Sequence, residues 1–380
     1  MAKLKTDWIL FLTILAMTGF GIVMVYSASS AAAKPYYGVE PYFFVLHQIA
    51  FAALSFCVLM YLKRLDYRKM NSPAWAFSAL GIVVALLVGV YIADPKTHRW
   101  FRIPGLGLFQ PSEFAKPVLI LFLAYFISRR TQSINHKKTL QQAALAVAML
   151  AILVVVPDLG TAIVHLLTAV IVFWVAGLEW KQMRRVAAIS ALLLAVFVVE
   201  RGYRLGRVIA YVDPDYSTIE TIDTHHLVRN YVTSSTSVRD ARYQPLQSKI
   251  AVGTGGIFGV GLMQSRQKLM FLPEAHTDFI FATVGEELGL WGCTAVLIGF
   301  VVILWRGARL FLLATDDFGK YLALGVTVSI LLQALMNMTV VLDMAPTKGF
   351  PLPMISYGGS SLLSTLVSLG MLLSVSEHEG

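Results

Sequence analysis

The chain has 380 residues, of which 57% are hydrophobic and 14% charged, with a mean hydropathy of +0.68. Because a soluble domain carries about 25% charged residues, this composition excludes a water-soluble protein and indicates an integral membrane protein. The net charge of +9 is typical of Lys and Arg that set membrane topology. Since the sequence contains no nucleic-acid-binding motif, we expect no nucleic-acid partner.

Apolar runs close to the roughly 20 residues that cross a bilayer recur along the chain. They predict an all-α integral membrane protein of about ten transmembrane helices, organised as one polytopic domain over residues 1–380. A large extracytoplasmic loop, 201–277, is expected before the eighth span. The predicted spans, in chain order, are 8–27, 42–62, 75–92, 113–128, 141–156, 160–177, 185–200, 280–305, 320–342 and 358–376.

The distribution of Lys and Arg between the loops predicts the orientation of the chain. With the N-terminus inside, the inner segments carry sixteen of these residues and the short outer loops carry five. Because Lys and Arg concentrate on the cytoplasmic side, both termini are expected to be cytoplasmic. The long loop, which includes Thr224, is then expected to be periplasmic.

Several charged residues lie at the predicted outer ends of the spans. The stretch "HRWFRIPGLGLFQPSEFAK" contains Arg99, Glu113 and Lys116. Glu113 and Lys116 share a helix face, so they form either a structural ion pair or, together with Arg99, a site for phosphate. Asp158 in "PDLGTA" and Asp278 in "LPEAHTDFIF" lie at span ends on the same side. Ionisable residues are costly in a membrane, so their grouping predicts a site that opens to the outer face.

Two segments rich in glycine or proline also interrupt the apolar pattern. "GTGGIFGVGL" lacks the signature of a phosphate-binding loop, so it predicts close backbone packing or a hinge rather than a nucleotide site. "PTKGFPLPMISYGGSS" includes Lys348 and Ser356 next to the last span. Irregular backbone at membrane depth is tolerated only where it is buried in protein or lines a cavity, so this segment is expected to line one.

Six motifs in a fixed order resemble the SEDS family (FtsW, RodA and SpoVE) of bacterial cell-wall polymerases. They are "VMVYSAS", "RWFRIPGLGLFQPSEFAK", "PDLGTA", "QSKIAVGTGGIFGVGL", "LPEAHTDFIFATVGEELG" and "PTKGFPLPMISYGGSS". The resemblance covers nearly the whole chain, and "PEAHTDFIF" and "PTKG" are closer to the division branch, FtsW, than to the elongation branch, RodA. The polar segment 215–242 is longer than the family pattern.

The resemblance implies a peptidoglycan glycosyltransferase that polymerises lipid II at the outer face of the bacterial cytoplasmic membrane, with cell division at the septum as the expected role. Asp278 corresponds to the essential acid of the family's "TDF" motif and is expected to act as general base. Arg99 and Lys116 fall on basic positions that would neutralise the departing undecaprenyl pyrophosphate in an inverting displacement. The other residues expected to bind substrate are Glu113, Asp158, His276, Lys348 and Ser356.

The resemblance also carries expectations about cofactors and partners. A divalent cation, Mg or Mn, is an optional cofactor, and no nucleotide or organic cofactor is expected. The expected partners are lipid II, glycan linked to undecaprenyl pyrophosphate, a class B penicillin-binding protein that crosslinks the product, and other division proteins. Three alternatives stay open: a lipid II flippase, whose polar residues should line the whole membrane path, an elongation polymerase, and a non-catalytic scaffold.

Overall fold

The protein is mainly α-helical over residues 6–103, 107–213, 223, 228, 231–232, 238–269 and 271–378, which the computed structural model describes. The described helices are α1 Trp8–Tyr37, α2 Phe43–Arg64, α3 Pro73–Ala93, α4 Pro111–Ser128, α5 Lys137–Val155, α6 Leu159–Val175, α7 Trp180–Val199, α8 Gly202–Val212, α9 Val238–Gly255, α10 Ile280–Leu313, α11 Asp317–Val341 and α12 Gly359–His378. Between α3 and α4 lies an antiparallel hairpin of β1 (Phe101–Ile103) and β2 (Gly107–Phe109).

Nine of the described helices are long and apolar enough to cross a membrane, and α6, with 17 residues, is a shorter apolar helix. These ten correspond in order to the ten predicted spans, which confirms the predicted fold class. Some helices continue past the predicted ends. Helix α1 extends to Tyr37 because its Ala and Ser residues sustain the helix as far as Gly38. Gly38 has a left-handed φ of 64° and closes the last turn.

The described part of the predicted loop 201–277 contains two helices, α8 and α9. Arg204 of α8 is buried and donates hydrogen bonds to the carbonyls of Val155, Val156 and Phe197 at 3.0, 2.7 and 3.2 Å. These carbonyls lie at the ends of α5 and α7, so α8 is docked across them. A helix of 11 residues is too short to appear as a span, which is why the apolar pattern did not reveal it. Thr224 and most of segment 215–242 lie outside the described residues.

The glycine-rich segment packs directly against the backbone of α10. A Cβ atom on Gly255 would lie 1.9 Å from the carbonyl oxygen of Gly285, and one on Gly259 would lie 2.2 Å from that of Glu287. Gly259 also has a φ of +79°, which disfavours any other residue. The amide of Gly261 donates to the Glu287 carbonyl at 3.0 Å. The prediction of close backbone packing is confirmed.

The end of the bundle at which α6 begins and α11 ends, called the outer end below, is covered by the irregular segment 346–358. Phe350 of this segment is buried against Val164 of α6 and Val340 of α11. The segment therefore wedges between two helices that come from distant parts of the sequence, and it brings its own polar groups to the helix ends.

Candidate functional site at the outer end of the bundle

The segment that carries Asp278 is held by hydrogen bonds to three consecutive backbone carbonyls. The carbonyls of His276, Thr277 and Asp278 each accept a bond from the last quarter of the chain. Their donors are, in order, the Tyr357 amide at 2.9 Å, the Ser356 hydroxyl at 2.5 Å and the Asn337 side-chain amide at 2.7 Å. Because every carbonyl in this run is occupied, the backbone just before α10 is fixed in one position.

The Asp278 carboxylate has no partner among the residues that the structure describes. It makes no hydrogen bond or ion pair with any described residue, although the residue is partly buried. Gly349 lies directly against it, since a Cβ atom there would come within 2.2 Å of Asp278 Oδ2. A carboxylate that is partly withdrawn from water and has no partner costs stability, which is typical of a functional rather than a structural acid.

The surroundings of Asp278, which precedes α10, favour its protonated form. Burial raises the pKa of this carboxyl to about 6. The positive charge of Arg99 acts against that shift, the negative charges of Glu274 and Asp158 add to it, and Lys348 again opposes it. Burial outweighs the two cations because it removes water from the carboxylate, and no described residue replaces the lost hydrogen bonds. A pKa near 6 lets the group exchange a proton close to neutral pH.

Asp158, in contrast, is a carboxylate with many partners. It caps the N-terminus of α6, accepting from the Thr161 amide at 3.2 Å and the Thr161 hydroxyl at 3.0 Å. Lys348 Nζ lies 3.2 Å and Arg99 Nη2 3.4 Å from its oxygens, and Gln110 Nε2 lies 3.5 Å away. Burial alone would raise the pKa of Asp158, but Lys348 and Arg99 hold it below the usual range. Asp158 is therefore ionised and anchors both cations.

Arg99 and Lys348 contact Asp158 from segments that lie before and after it in the sequence. Arg99 follows a turn in which the Asp94 carboxylate accepts from the Arg99 amide at 3.3 Å. Lys348 lies over Gly160, where a Cβ atom would come within 2.9 Å of its Cε. The side chains of Arg99 and Lys348 stay 34% and 24% exposed. Both cations can therefore bind an anion from the aqueous side without leaving Asp158.

Glu113 and Lys116 form a separate, buried ion pair. Lys116 Nζ lies 2.7 Å from Glu113 Oε2 and 2.6 Å from Gln333 Oε1, and both charged residues are less than 8% exposed. Lys116 makes no ion pair with Asp158 or Asp278. The structure thus does not bring Lys116 together with Arg99, and Lys348 holds the position next to Arg99 instead.

The structure gives His276 and Ser356 internal contacts. Burial lowers the pKa of His276, which favours the neutral imidazole. The Ser356 hydroxyl donates to the Thr277 carbonyl at 2.5 Å and accepts from the Leu352 amide at 2.7 Å, so both of its bonding directions are used within the fold. The ring of His276 contacts the rings of Tyr37, Phe44 and Tyr357 at centroid distances of 5.7, 4.7 and 5.6 Å.

Two polar residues that contact Asp158 or Asp278 were not found from the sequence. Gln110 contacts the Asp158 carboxylate, and Asn337 bonds to the Asp278 carbonyl. Asn337 interrupts the apolar run "ALMNMTVV", and an amide within a predicted span is itself a signal of internal bonding. Gln110 lies in a predicted outer loop, where a polar side chain gives no comparable signal.

The family model of cell cycle proteins FtsW, RodA and SpoVE matches residues 7–380. This chain belongs to that family. Two of its similar relatives are the probable peptidoglycan glycosyltransferase FtsW of Geobacter metallireducens and the stage V sporulation protein E of Bacillus subtilis. The first is 36% identical over 377 residues, covering 98% of this chain and 95% of the relative. The second is 34% identical over 381 residues, covering 99% and 98%.

Solved structures share the fold of this FtsW/RodA/SpoVE member. A chain of a peptidoglycan synthase complex that coordinates polymerization and crosslinking aligns with a TM-score of 0.73 at 26% identity, covering 98% of this chain and 97% of that one. The rod shape determining protein RodA of Thermus thermophilus aligns with a TM-score of 0.69 at 25% identity and covers the same shares. The arrangement of spans is thus the family arrangement, and the protein is a multi-pass membrane protein.

Proposed function

We propose that this protein is a peptidoglycan glycosyltransferase that polymerises lipid II into glycan strands at the outer face of the cytoplasmic membrane. The relatives that bear this name align over nearly the whole chain. The observation that carries the proposal is a carboxylate, Asp278, that has no partner in the described part of the chain and lies near a fixed pair of cations on Asp158. A proton acceptor and a site for an anionic leaving group are what transfer from a sugar pyrophosphate requires.

In the proposed reaction Asp278 accepts the proton of the attacking sugar hydroxyl. The hydroxyl oxygen forms a bond to the anomeric carbon of the second substrate while the bond from that carbon to the pyrophosphate oxygen breaks. Lipid II carries an α-linked phosphate and the glycan is β-linked, so one direct displacement with inversion accounts for the stereochemistry. Undecaprenyl pyrophosphate leaves with the bonding electrons.

Arg99 and Lys348 are proposed to hold the departing pyrophosphate. Two cations share one acid, Asp158, so the three groups together carry one net positive charge. When Asp278 takes up a proton it loses its own negative charge. Asp278 then no longer offsets the positive charge of Arg99, Lys348 and Asp158 at the moment when the pyrophosphate gains negative charge. The leaving group is therefore stabilised more than the bound substrate.

A Mg or Mn ion stays an optional cofactor of the proposed activity. Among the described residues, no three His, Cys, Asp or Glu side chains come together as ligands. The steps proposed here accordingly use only the protein's own groups.

We also propose a partner and a location. A solved neighbour belongs to a complex in which polymerization and crosslinking are coordinated, which supports a class B penicillin-binding protein as the crosslinking partner. The FtsW relatives support a role in cell division at the septum. The excess of Lys and Arg in the inner loops supports cytoplasmic termini.

The proposed function is tested by polymerisation of purified lipid II in detergent. The protein is assayed with a transpeptidase-inactive class B partner, and every other transglycosylase is excluded. We expect glycan strands that a muramidase digests. If no polymer forms while the protein moves lipid II across vesicle membranes, the protein is a flippase and the proposed function is wrong.

The rate of polymerisation is expected to depend on pH through Asp278. A general base must be deprotonated, and burial raises the pKa of Asp278 to about 6. We therefore expect kcat/KM to be level above about pH 7 and to fall roughly tenfold per pH unit below about 6. The measurement is the initial polymerisation rate from pH 5 to 8, with lipid II binding measured at each pH. A rate independent of pH, with unchanged binding, contradicts the assignment of the base.

Replacement of either cation on Asp158 is expected to weaken the use of lipid II. Arg99→Ala and Lys348→Ala each remove half of the proposed pyrophosphate site, and we expect kcat/KM to fall at least tenfold, about 1.4 kcal/mol. Lys249→Ala is the matched control, because this exposed lysine pairs with Asp343 away from Asp158. Normal kinetics in both folded variants would show that the Asp158 cluster is structural.

A further inference from the structure

Asn337 joins the two segments that meet at Asp278. It lies on α11 and is 1% exposed. Its Nδ2 donates to the carbonyl of Asp278 at 2.7 Å and to the carbonyl of Phe350 at 2.5 Å. One side-chain amide thus connects the backbone before α10 to the backbone of segment 346–358.

These two hydrogen bonds from Asn337 set the geometry of the site. Phe350 is two residues from Lys348, which is bound to Asp158, and one residue from Gly349, which lies against the Asp278 carboxylate. When Asn337 holds the backbone at both points, it fixes the distance between the carboxylate and the cation pair. Residues that touch neither substrate nor leaving group can control a reaction in this way, because small displacements of a reacting group lower the rate steeply.

One polar atom of Asn337 is left without a hydrogen bond, which argues against a role only in stabilising the fold. Its Oδ1 is buried and has no hydrogen-bond partner among the described residues. An unsatisfied buried acceptor lowers stability. An apolar side chain of similar size would avoid this cost but would lose both contacts to the carbonyls.

We infer that Asn337 is a positioning residue for glycosyl transfer, which acts by holding Asp278 at a fixed distance from Lys348. This inference rests on the proposed function. It assigns to α11 a direct part in the reaction geometry, although α11 contributes no group to the chemistry itself.

The test compares Asn337→Leu, which has a similar volume without the amide, with wild-type protein in the lipid II polymerisation assay. We expect kcat to fall at least tenfold with KM within about twofold, since Arg99 and Lys348 remain. We also expect the acid limb of the pH profile to move to lower pH. The charged groups around Asp278 are Arg99, Glu274, Asp158 and Lys348. All of them remain in the variant, so the expected shift comes from water reaching a looser carboxylate.

Asn337→Gln and Ser248→Ala serve as companions. Asn337→Gln keeps the amide on a longer stem, and we expect kcat above that of Asn337→Leu. Ser248 is buried and donates to the Val341 carbonyl at 2.7 Å. It lies on α9 and bonds to the same end of α11 that carries Asn337, but the structure shows no hydrogen bond from it to the segment of Asp278, so Ser248→Ala should lower stability alone. Should Asn337→Leu yield no folded protein, Asn337→Ser is judged by the same kinetic criteria.

The results distinguish a failure of the inference about Asn337 from a failure of the proposed function. If wild-type protein polymerises lipid II, Asp278→Asn does not, and folded Asn337→Leu keeps kcat and pH profile within twofold, the inference is wrong and the proposed function stands. An activity loss that only follows the folded fraction, as in Ser248→Ala, also overturns it. If wild-type protein makes no polymer, both the proposed function and the inference are overturned.

Discussion

Asp278→Asn is expected to abolish glycan polymerisation while the protein stays folded and inserted. The substitution keeps the shape of the side chain and removes its capacity to accept a proton. A general base contributes about 10²–10⁴-fold to a rate, and the loss exceeds this if the charge also orients the acceptor sugar. The measurement is polymer formed per folded molecule, in the presence of the transpeptidase-inactive partner.

The stability of the same variant provides an independent readout. The pKa of Asp278 is raised above its ordinary value in the folded protein, so the folded state binds the proton more tightly than the unfolded state. Its contribution to stability is therefore full below about pH 4 and is lost as pH rises through about 6. At neutral pH the buried charge is a cost, and asparagine removes that cost. We expect Asp278→Asn to have an equal or higher Tm than wild-type protein at pH 7.5.

Asp343→Asn is the matched control for this experiment. Asp343 is an acid at the outer end of α11, has a φ of 59° that asparagine tolerates, and pairs with the exposed Lys249 at 3.7 Å. The control should keep full activity. A structural Asp278 would show the reverse pattern, with a lower Tm and retained activity per folded molecule. Undiminished polymer from Asp278→Asn would rule out the catalytic assignment.

Lys116→Met is expected to reduce folded protein rather than substrate affinity. Removing one partner of the pair leaves Glu113, which is 2% exposed, as an unpaired charge in the bundle. Breaking a buried ion pair from one side costs about 3–5 kcal/mol. We expect a large loss of monodisperse protein and of Tm, with near-normal KM for lipid II in the molecules that fold.

The double variant Glu113→Gln, Lys116→Met decides between the two interpretations of this pair. Removing both charges relieves the unpaired carboxylate, so most of the lost stability should return. Lys249→Met, at a surface pair, should change Tm little. If Lys116→Met instead folds normally and raises KM for lipid II at least tenfold, Lys116 binds phosphate, as its place in the family motif implies.

The Glu113–Lys116 pair shows which contacts local sequence periodicity predicts and which it misses. Their spacing of three residues predicted a shared helix face, and the structure places them 2.7 Å apart. The same spacing did not reveal Gln333, which completes the bonding of Lys116 from α11. The third partner comes from a helix more than two hundred residues away in the chain, and its side chain reaches Lys116 only because α4 and α11 pack together.

The sequence by itself predicted the order of the ten apolar helices and placed the acids Asp158 and Asp278 at helix ends on the same side of the bundle. The physical reason is that the hydrocarbon thickness fixes the length of an apolar run, and the lack of water inside it forces each run to be helical. These constraints act on contiguous residues, so they can be read along the chain. The positions of ionisable residues relative to those runs can be read in the same way.

Only the tertiary structure decided which residues share a site. It joined Arg99 and Lys348 on Asp158, left the Asp278 carboxylate without a partner among the described side chains, and introduced Asn337 as the link between two segments. These contacts connect the loop between α3 and β1, the N-cap of α6, the segment before α10, α11 and the segment 346–358, and nothing in the local pattern specifies them. They depend on the packing of Phe350 between α6 and α11 and on glycines at positions 160 and 349 that leave room for the neighbouring side chains. Close packing of this kind acts between surfaces rather than along the chain, so the partners of a buried charge are set by the fold.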